Sequence, residues 1–304
     1  MNPTIVFDNI HRAFGARHVL RGLSFEVAPG EVYALLGRNG EGKTTAIRVL
    51  LGLLDPMAGR SSVLGVDSRD IDGALRERIG FVAEGHQLEG LRTVAGTLDF
   101  ERVTRARFDE AWVRGELRRL DLRLGSKVSE LSRGQRAQLA LVLALAGRPE
   151  VLVFDDPAMG LDVVMRRELL DVLIDLLARE GVSVLLTTHA LADVERLADR
   201  IGILHAGRLV VDATREDLRE RVEQRFLASK ASEAPSGGAV VASRRVLGGF
   251  ELTLLDAGER DLQRLGAGLS PEARVPTLEE LFVALTARAA PGDAQGVEQQ
   301  EVRA

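Results

Sequence analysis

Residues 37 to 45 read Gly37-Arg38-Asn39-Gly40-Glu41-Gly42-Lys43-Thr44-Thr45, which fits the spacing GxxxxGK[ST]. Glycines at that spacing let successive backbone N–H groups turn inward around an anion. Lys43 adds a point charge for the β- and γ-phosphates of a nucleotide, and Thr44 a hydroxyl for Mg²⁺. A helix opening at this point contributes its positive N-terminal end. A mostly apolar run, EVYALL at 31–36, precedes the loop and a helical stretch at 44–51 follows it, as such a loop requires.

A second candidate is VLVFDDP at 151–157, four apolar residues ending in paired aspartates. A buried strand delivers Asp155 to the C-terminal edge of a sheet, where α/β folds bind ligands. There Asp155 can hold Mg²⁺ through a water. Asp156, next on the chain, can position or deprotonate an attacking water. The plainer alternative is that both carboxylates cap the following helix. A third candidate is LSRGQ at 131–135. Ser132 and Gln135 form a capping box. It is either a well-capped helix and nothing more, or a second anion site built on a helix N-terminus.

These residues need elements to hold them. Strands are expected at 4–7, 19–27 and 31–36, and again at 79–84, before a helical region from about 91 to 148. The run 139–146 is too apolar for a surface helix. Strands at 151–154 and 182–188 flank a helix at 166–179, which predicts a parallel sheet covered by helices. Residues 201–212 read as a hairpin turning at Ala206-Gly207. ASEAPSGGA at 231–239 has linker composition. A pair of short strands is expected within 246–255 and a helix at 277–287, opened by the capping box Thr277–Glu280. The tail from residue 289 is expected to be disordered.

Composition narrows the function classes. The chain has 304 residues, enough for a large domain and an appendage. It has no cysteine, which removes disulfides and thiolate metal sites. A net charge of −5 does not fit a nucleic-acid binder, and none is expected as a partner. The N-terminus lacks the pattern of a secretory signal. No apolar run approaches the roughly 20 residues that span a bilayer. Any membrane role is therefore expected to come through a partner.

In order and spacing these segments resemble the ATP-binding cassette (ABC) ATPases over about residues 4–225. GRNGEGKTT resembles the Walker A motif, LSRGQ the LSGGQ signature, VLVFDD the Walker B strand, and AMGLD, ending at Asp162, the D-loop. His189 resembles the switch histidine, and Phe14 stands where the family stacks an aromatic ring on adenine. The resemblance implies an α/β P-loop NTPase. It would have a RecA-like, mostly parallel sheet core, an N-terminal antiparallel β subdomain and an inserted helical subdomain at about 84–147. A small C-terminal α+β extension at 226–288 would follow the ATPase domain at 1–225. It also implies ATP and Mg²⁺ as ligands, and two subunits paired head-to-tail, identical ones being expected before a mixed pair. Ser132, Gly134 and Gln135 would then act on the partner's γ-phosphate. A multi-span permease would complete the assembly and hold the chain, a cytoplasmic protein, on the inner face of the cell membrane. The segment VPTLEELFVALT at 275–286 resembles an exporter branch that handles drugs, antibiotics or polysaccharides.

Three departures from the family pattern matter. Asp156 replaces the usual glutamate and reaches one methylene less far. Glu84 replaces the Q-loop glutamine and can still ligate Mg²⁺, with Gln87 as a weaker substitute. Arg133 replaces a signature glycine. The first departure raises a second reading, a nucleotide-operated switch that turns over slowly. A third reading, a soluble ABC protein working on ribosomes or DNA, fits less well, because this chain has one cassette, no long coiled-coil insertion and an acidic charge.

Overall fold

The computed structural model describes residues 2–85, 88, 92–231, 233–286 and 302–303. Gln87 and nearly all of the tail from 289 lie outside the described residues.

The chain opens with an antiparallel hairpin, β1 (Ile5–Phe14) and β2 (Arg17–Val27), turning at Gly15, whose φ is 58°. β3 (Val32–Gly37) leads through the glycine-rich loop into α1 (Lys43–Leu50). β4 (Ala58–Val63), β5 (Val66–Asp67) and the short α2 (Gly73–Arg76) follow, then β6 (Ile79–Val82). Three helices come next, α3 (Val94–Thr104), α4 (Glu110–Arg119) and α5 (Arg133–Leu145). The chain returns to strand–helix alternation with β7 (Val151–Asp155), α6 (Val163–Glu180), β8 (Ser183–Thr188), α7 (Leu191–Leu197), β9 (Arg200–His205), β10 (Arg208–Thr214) and α8 (Arg215–Arg221). The last part holds β11 (Val222–Ala228), β12 (Val240–Val246), β13 (Gly249–Leu255), α9 (Glu259–Leu265), α10 (Leu278–Thr286) and β14 (Val302–Arg303).

β3 sits inside a seven-stranded sheet of order β14-β10-β9-β3-β8-β7-β6, in which only β9 and β10 are antiparallel neighbours. Its alternate residues serve two cores. Tyr33 and Leu35 face the N-terminal strands and α1, while Ala34 and Leu36 face α7, β9 and α10. A strand buried on both faces has no need of polar alternation, which is why it reads as an apolar run. The other sheets are antiparallel, β2-β1-β4-β5 at the N-terminus and β11-β13-β12 near the C-terminus. The N-terminal sheet is joined to the main one by a ladder of stacked rings. Phe7 and Phe25 lie 4.5 Å apart and Phe25 and Tyr33 4.6 Å apart between centroids. The Tyr33 hydroxyl donates to Asp212, which also pairs with Arg200.

α3, α4 and α5 share a core of their own, including Val94, Leu98, Val113, Leu117, Leu139 and Val142. The other side of α5, through Ala137, Leu141 and Ala144, packs toward α6 and β7. Covered on two sides, α5 is as apolar as its sequence requires.

The structure differs from the sequence reading at several places, among them 246–255, where the expected pair of short strands is the end of β12 and its turn, followed by the single strand β13. β1 runs to Phe14 rather than ending near residue 7, because its outer half follows a bulge, with Asn9 at φ 50°, and has a solvated face that masks the strand pattern. The stretch 231–239 does not separate two units. It connects β11 with β12 of the same sheet, and β11 begins at Val222.

Phe25→Ala removes the middle ring of the aromatic ladder and is expected to lower unfolding free energy by about 3–5 kcal/mol. Urea denaturation reads this directly; a loss below about 1 kcal/mol would show that the ladder does not join the two sheets energetically.

Candidate functional site

The loop after β3 is shaped by two glycines in left-handed backbone, Gly40 at φ 84° and Gly42 at φ 114°. A Cβ on Gly42 would lie 2.9 Å from Leu20 Cδ2 and 3.1 Å from the Val19 carbonyl, so the position also needs the space. α1 begins directly after it with no acidic residue of its own in the first turn. The Lys43 ammonium donates to the carbonyls of Gly37 (2.6 Å) and Arg38 (3.3 Å), which holds it inside the loop. Burial lowers its pKa, and the nearby Asp156 and Asp155 carboxylates oppose that shift.

Several side chains brace the loop from outside. Arg17 of β2 donates to the Gly40 carbonyl at 2.9 Å. The Glu41 carboxylate turns away from the loop interior and accepts from the backbone N–H of Ala206 at 2.5 Å, with His205 Nδ1 3.3 Å from its other oxygen. Arg38 reaches the carbonyl of Thr286. Asn39 is exposed, and Thr45 lies half-buried in the first turn of α1.

The ends of β7 and β8 bring the carboxylates to this loop. Asp155 Oδ1 accepts from the hydroxyls of Thr44 (3.1 Å) and Thr187 (2.9 Å). Asp156 has left-handed backbone at φ 47°, a conformation Asp adopts more readily than most residues, and its N–H donates to the Thr187 carbonyl at 2.9 Å. Its carboxylate meets His189 Nδ1 at 2.5 Å and Thr188 Oγ1 at 3.5 Å. Asp156 is 6% exposed, whereas the His189 side chain is 43% exposed, so the pair has a buried and a solvent-facing member. Lys43, Thr44, Asp155, Asp156 and His189 thus form one cluster.

Glu84 is exposed and lines a cavity of about 720 Å³ together with Thr44, Asp155, Arg48, Arg133 and Arg136. The remaining candidates do other work within this chain. Ser132 caps α5, accepting from the Gln135 N–H at 3.1 Å, while the Gln135 side chain accepts from the Ser132 N–H. Gly134 permits close packing, because a Cβ there would lie 3.3 Å from Met165 of α6. Asp162 caps α6 through the Met165 N–H at 2.9 Å. Arg133 donates to the Gly160 carbonyl at 3.0 Å and so links the start of α5 to the segment before α6. Phe14 ends β1, about half exposed, with the Arg12 guanidinium 5.0 Å from its ring centroid.

Arg17, Thr187, Thr188 and the buried Asp193 escaped sequence reading. Asp193 faces Arg166 at 3.9 Å, and burial raises its pKa. No motif marks these residues; Thr187 and Thr188 were recognisable only as the polar end of an apolar strand.

This arrangement can offer a polyphosphate the N-terminal end of α1 and a buried ammonium. A threonine hydroxyl and a carboxylate sharing one hydrogen bond are hard oxygen donors, which suits Mg²⁺, an ion that keeps most of its waters. The Asp156–His189 pair stands beside them, able to take and hold a proton.

Residues 20–159 match the family model described as ABC transporter. The chain is 34% identical over 296 residues to the Nod factor export ATP-binding protein I of Rhizobium etli, covering 93% of each. It is 36% identical over 312 residues to the daunorubicin resistance ATP-binding protein DrrA3 of Streptomyces coeruleorubidus, covering 94% of this chain and 96% of the relative. Among solved structures, an ATP-binding subunit of an ABC transporter aligns with a TM-score of 0.63 and 30% identity, over 71% of this chain and 92% of that one.

Gly42→Ala is expected to distort the loop at a cost of about 1–3 kcal/mol of backbone strain. Equilibrium titration should then show ATP affinity reduced about tenfold or more. An affinity equal to the wild type would show that the loop tolerates a side chain there.

Proposed function

The chain belongs to the ABC transporter family, as an ATP-hydrolysing, ATP-binding subunit of the exporter type, and on that premise we propose how its residues divide the work. The loop Gly37–Thr45 wraps the phosphates of ATP, Lys43 neutralises the β- and γ-phosphates, and Phe14 stacks on the base. Mg²⁺, held by Thr44 and Asp155 with Glu84 at the edge of the same cavity, would neutralise charge that develops on the phosphates. Asp156 accepts a proton from the attacking water as its oxygen bonds to the γ-phosphorus and the bond to the β-phosphate oxygen breaks, releasing ADP and phosphate. His189 lies against the γ-phosphate and is kept in orientation by Asp156. The observation that carries this reading is the Asp156–His189 contact beside the Thr44–Asp155 hydrogen bond.

Two such subunits close head-to-tail on ATP. Ser132, Gly134 and Gln135 of one subunit, with Asp162 beside them, face the γ-phosphate bound to the other; identical subunits are favoured. The N-terminal end of α5, capped by Ser132 and Gln135 with no acidic residue in its first turn, supports a second anion contact there. Closure and opening drive a multi-span permease that meets the segment around 84–97, of which 86, 87 and 89–91 lie outside the described residues, and keeps the chain peripheral on the inner membrane face. No helix among the described residues is long and apolar enough to cross a membrane. The ATPase unit is proposed as about 1–225 and the accessory unit as about 226–288, a division that falls inside β11, whose whole length belongs to the accessory sheet.

A second reading, a subunit that switches on ATP binding and turns over slowly, is supported by the short reach of Asp156. An error of about 1 Å in placing a catalytic group can cost on the order of 100-fold in rate.

Lys43→Ala is expected to abolish ATP binding in equilibrium titrations. Asp156→Asn should keep binding yet lose turnover by about 100-fold or more in single-turnover assays; full hydrolysis by this variant refutes the assigned role. Asp156→Glu separates the two readings in the same assay. A rate gain of about tenfold or more marks a site tuned down, and a loss marks a site built around aspartate.

A further inference from the structure

The first loop residue after β3 is tied to the far end of the chain. Arg38 Nη1 donates to the carbonyl of Thr286, the last residue of α10, at 3.2 Å across 248 positions of sequence. Among the described residues α10 has no basic residue in its last turn, and Arg38 brings to it the cation that a helix C-terminus favours. The Arg38 carbonyl in turn accepts from the Glu41 N–H at 3.3 Å and from the Lys43 ammonium at 3.3 Å. Where Arg38 stands therefore bears on where Lys43 stands.

α10 is itself held at both ends. At its start Thr277 and Glu280 form the capping pair, and Arg274 bridges Glu280 (2.6 Å) to Glu251 of β13 (3.2 Å). Along its length Leu278 and Leu281 pack in one core with Leu36 of β3 and Val194 of α7, the helix that begins two residues after His189. The helix spans from the small C-terminal sheet to the phosphate loop.

We propose that α10 is part of the nucleotide site: its C-terminal carbonyl fixes Arg38, a positioning residue for the loop, so that the accessory region sets how tightly the loop grips ATP. This rests on the reading of Gly37–Thr45 as the cradle of ATP. A helix that only packs on the core would affect stability alone. A positioning helix affects ATP affinity through Arg38.

The test is a double-variant cycle on the full chain, with ATP dissociation constants, steady-state KM and melting temperatures read together. Arg38→Ala is expected to weaken ATP binding about 5- to 10-fold and to raise KM in step. Arg38→Lys, which keeps a donor, should recover most of this. Thr286→Gly deletes a buried side chain and its hydrogen bond to the Phe282 carbonyl, loosening the last turn of α10 while Leu278 and Leu281 stay in the core, and should weaken binding about 2- to 5-fold. The double variant should bind no more weakly than Arg38→Ala, since Thr286→Gly acts only by shifting the backbone carbonyl that Arg38 reaches. Additive losses, or an Arg38→Ala affinity within about twofold of wild type, would overturn the proposal. A Thr286→Gly variant that melts earlier but binds ATP normally would do the same. Should Thr286→Gly fail to fold, the contrast between Arg38→Ala and Arg38→Lys decides, equal losses in both being the adverse result. Lys43→Ala is the control; ATP binding retained by that variant would overturn the reading of the loop itself, and this proposal with it.

Discussion

One oxygen atom, Oδ1 of Asp155, joins the parts of this site. It receives the hydroxyl protons of Thr44, from the helix after the phosphate loop, and of Thr187, from the neighbouring strand. α1, β7 and β8 are thereby brought to a common edge. The carboxylate can stand there only because β7 is buried along its whole length and ends at that residue. Burial of the strand delivers the charge, and the two hydroxyls supply hydrogen bonds in place of water, without which a buried carboxylate is costly.

Charge balance follows from the same crowding. Asp155 and Asp156 are adjacent and buried, and Glu84 lines the cavity beside them. Lys43 is the cation drawn in against them, held by two carbonyls and partly desolvated. Asp193, deeper in α7, shows the cost of placing one more carboxylate near this group: burial raises its pKa, and Asp156 pushes it the same way. His189, more exposed, leans on Asp156 from the solvent side. Such a set is suited to taking up a polyphosphate with its metal, because each added charge has an opposite one within the site.

The loop is also held from behind. Arg17, Glu41 and Arg38 each carry it to a different support: the N-terminal hairpin, the β9–β10 turn and α10. β3 repeats this on a larger scale, sending alternate side chains into two separate cores. The loop therefore reports on both faces of the main sheet. The sheet's order, with β3 between β8 and β9, makes that possible.

Much of this was legible in the sequence, and for local reasons. The phosphate loop, the apolar strands that precede Gly37 and Asp155, the capping box of α5 and the hairpin at Ala206-Gly207 all depend on residues adjacent along the chain. Their chemistry needs no long-range information, since backbone preference and side-chain type suffice. The outer half of β1 was hidden because one solvated face and a bulge erase its alternation, and the stretch 231–239 looked like a linker because loop composition is the same inside a sheet as between domains. Only tertiary structure decided which residues meet. It turned Glu41 away from the loop interior, gave Thr187 a share of Asp155, set His189 against Asp156 and brought Arg38 to Thr286. Those pairs are separated by tens to hundreds of residues, and a single chain carries no local signal for a hydrogen bond whose partner is fixed by the packing of a sheet.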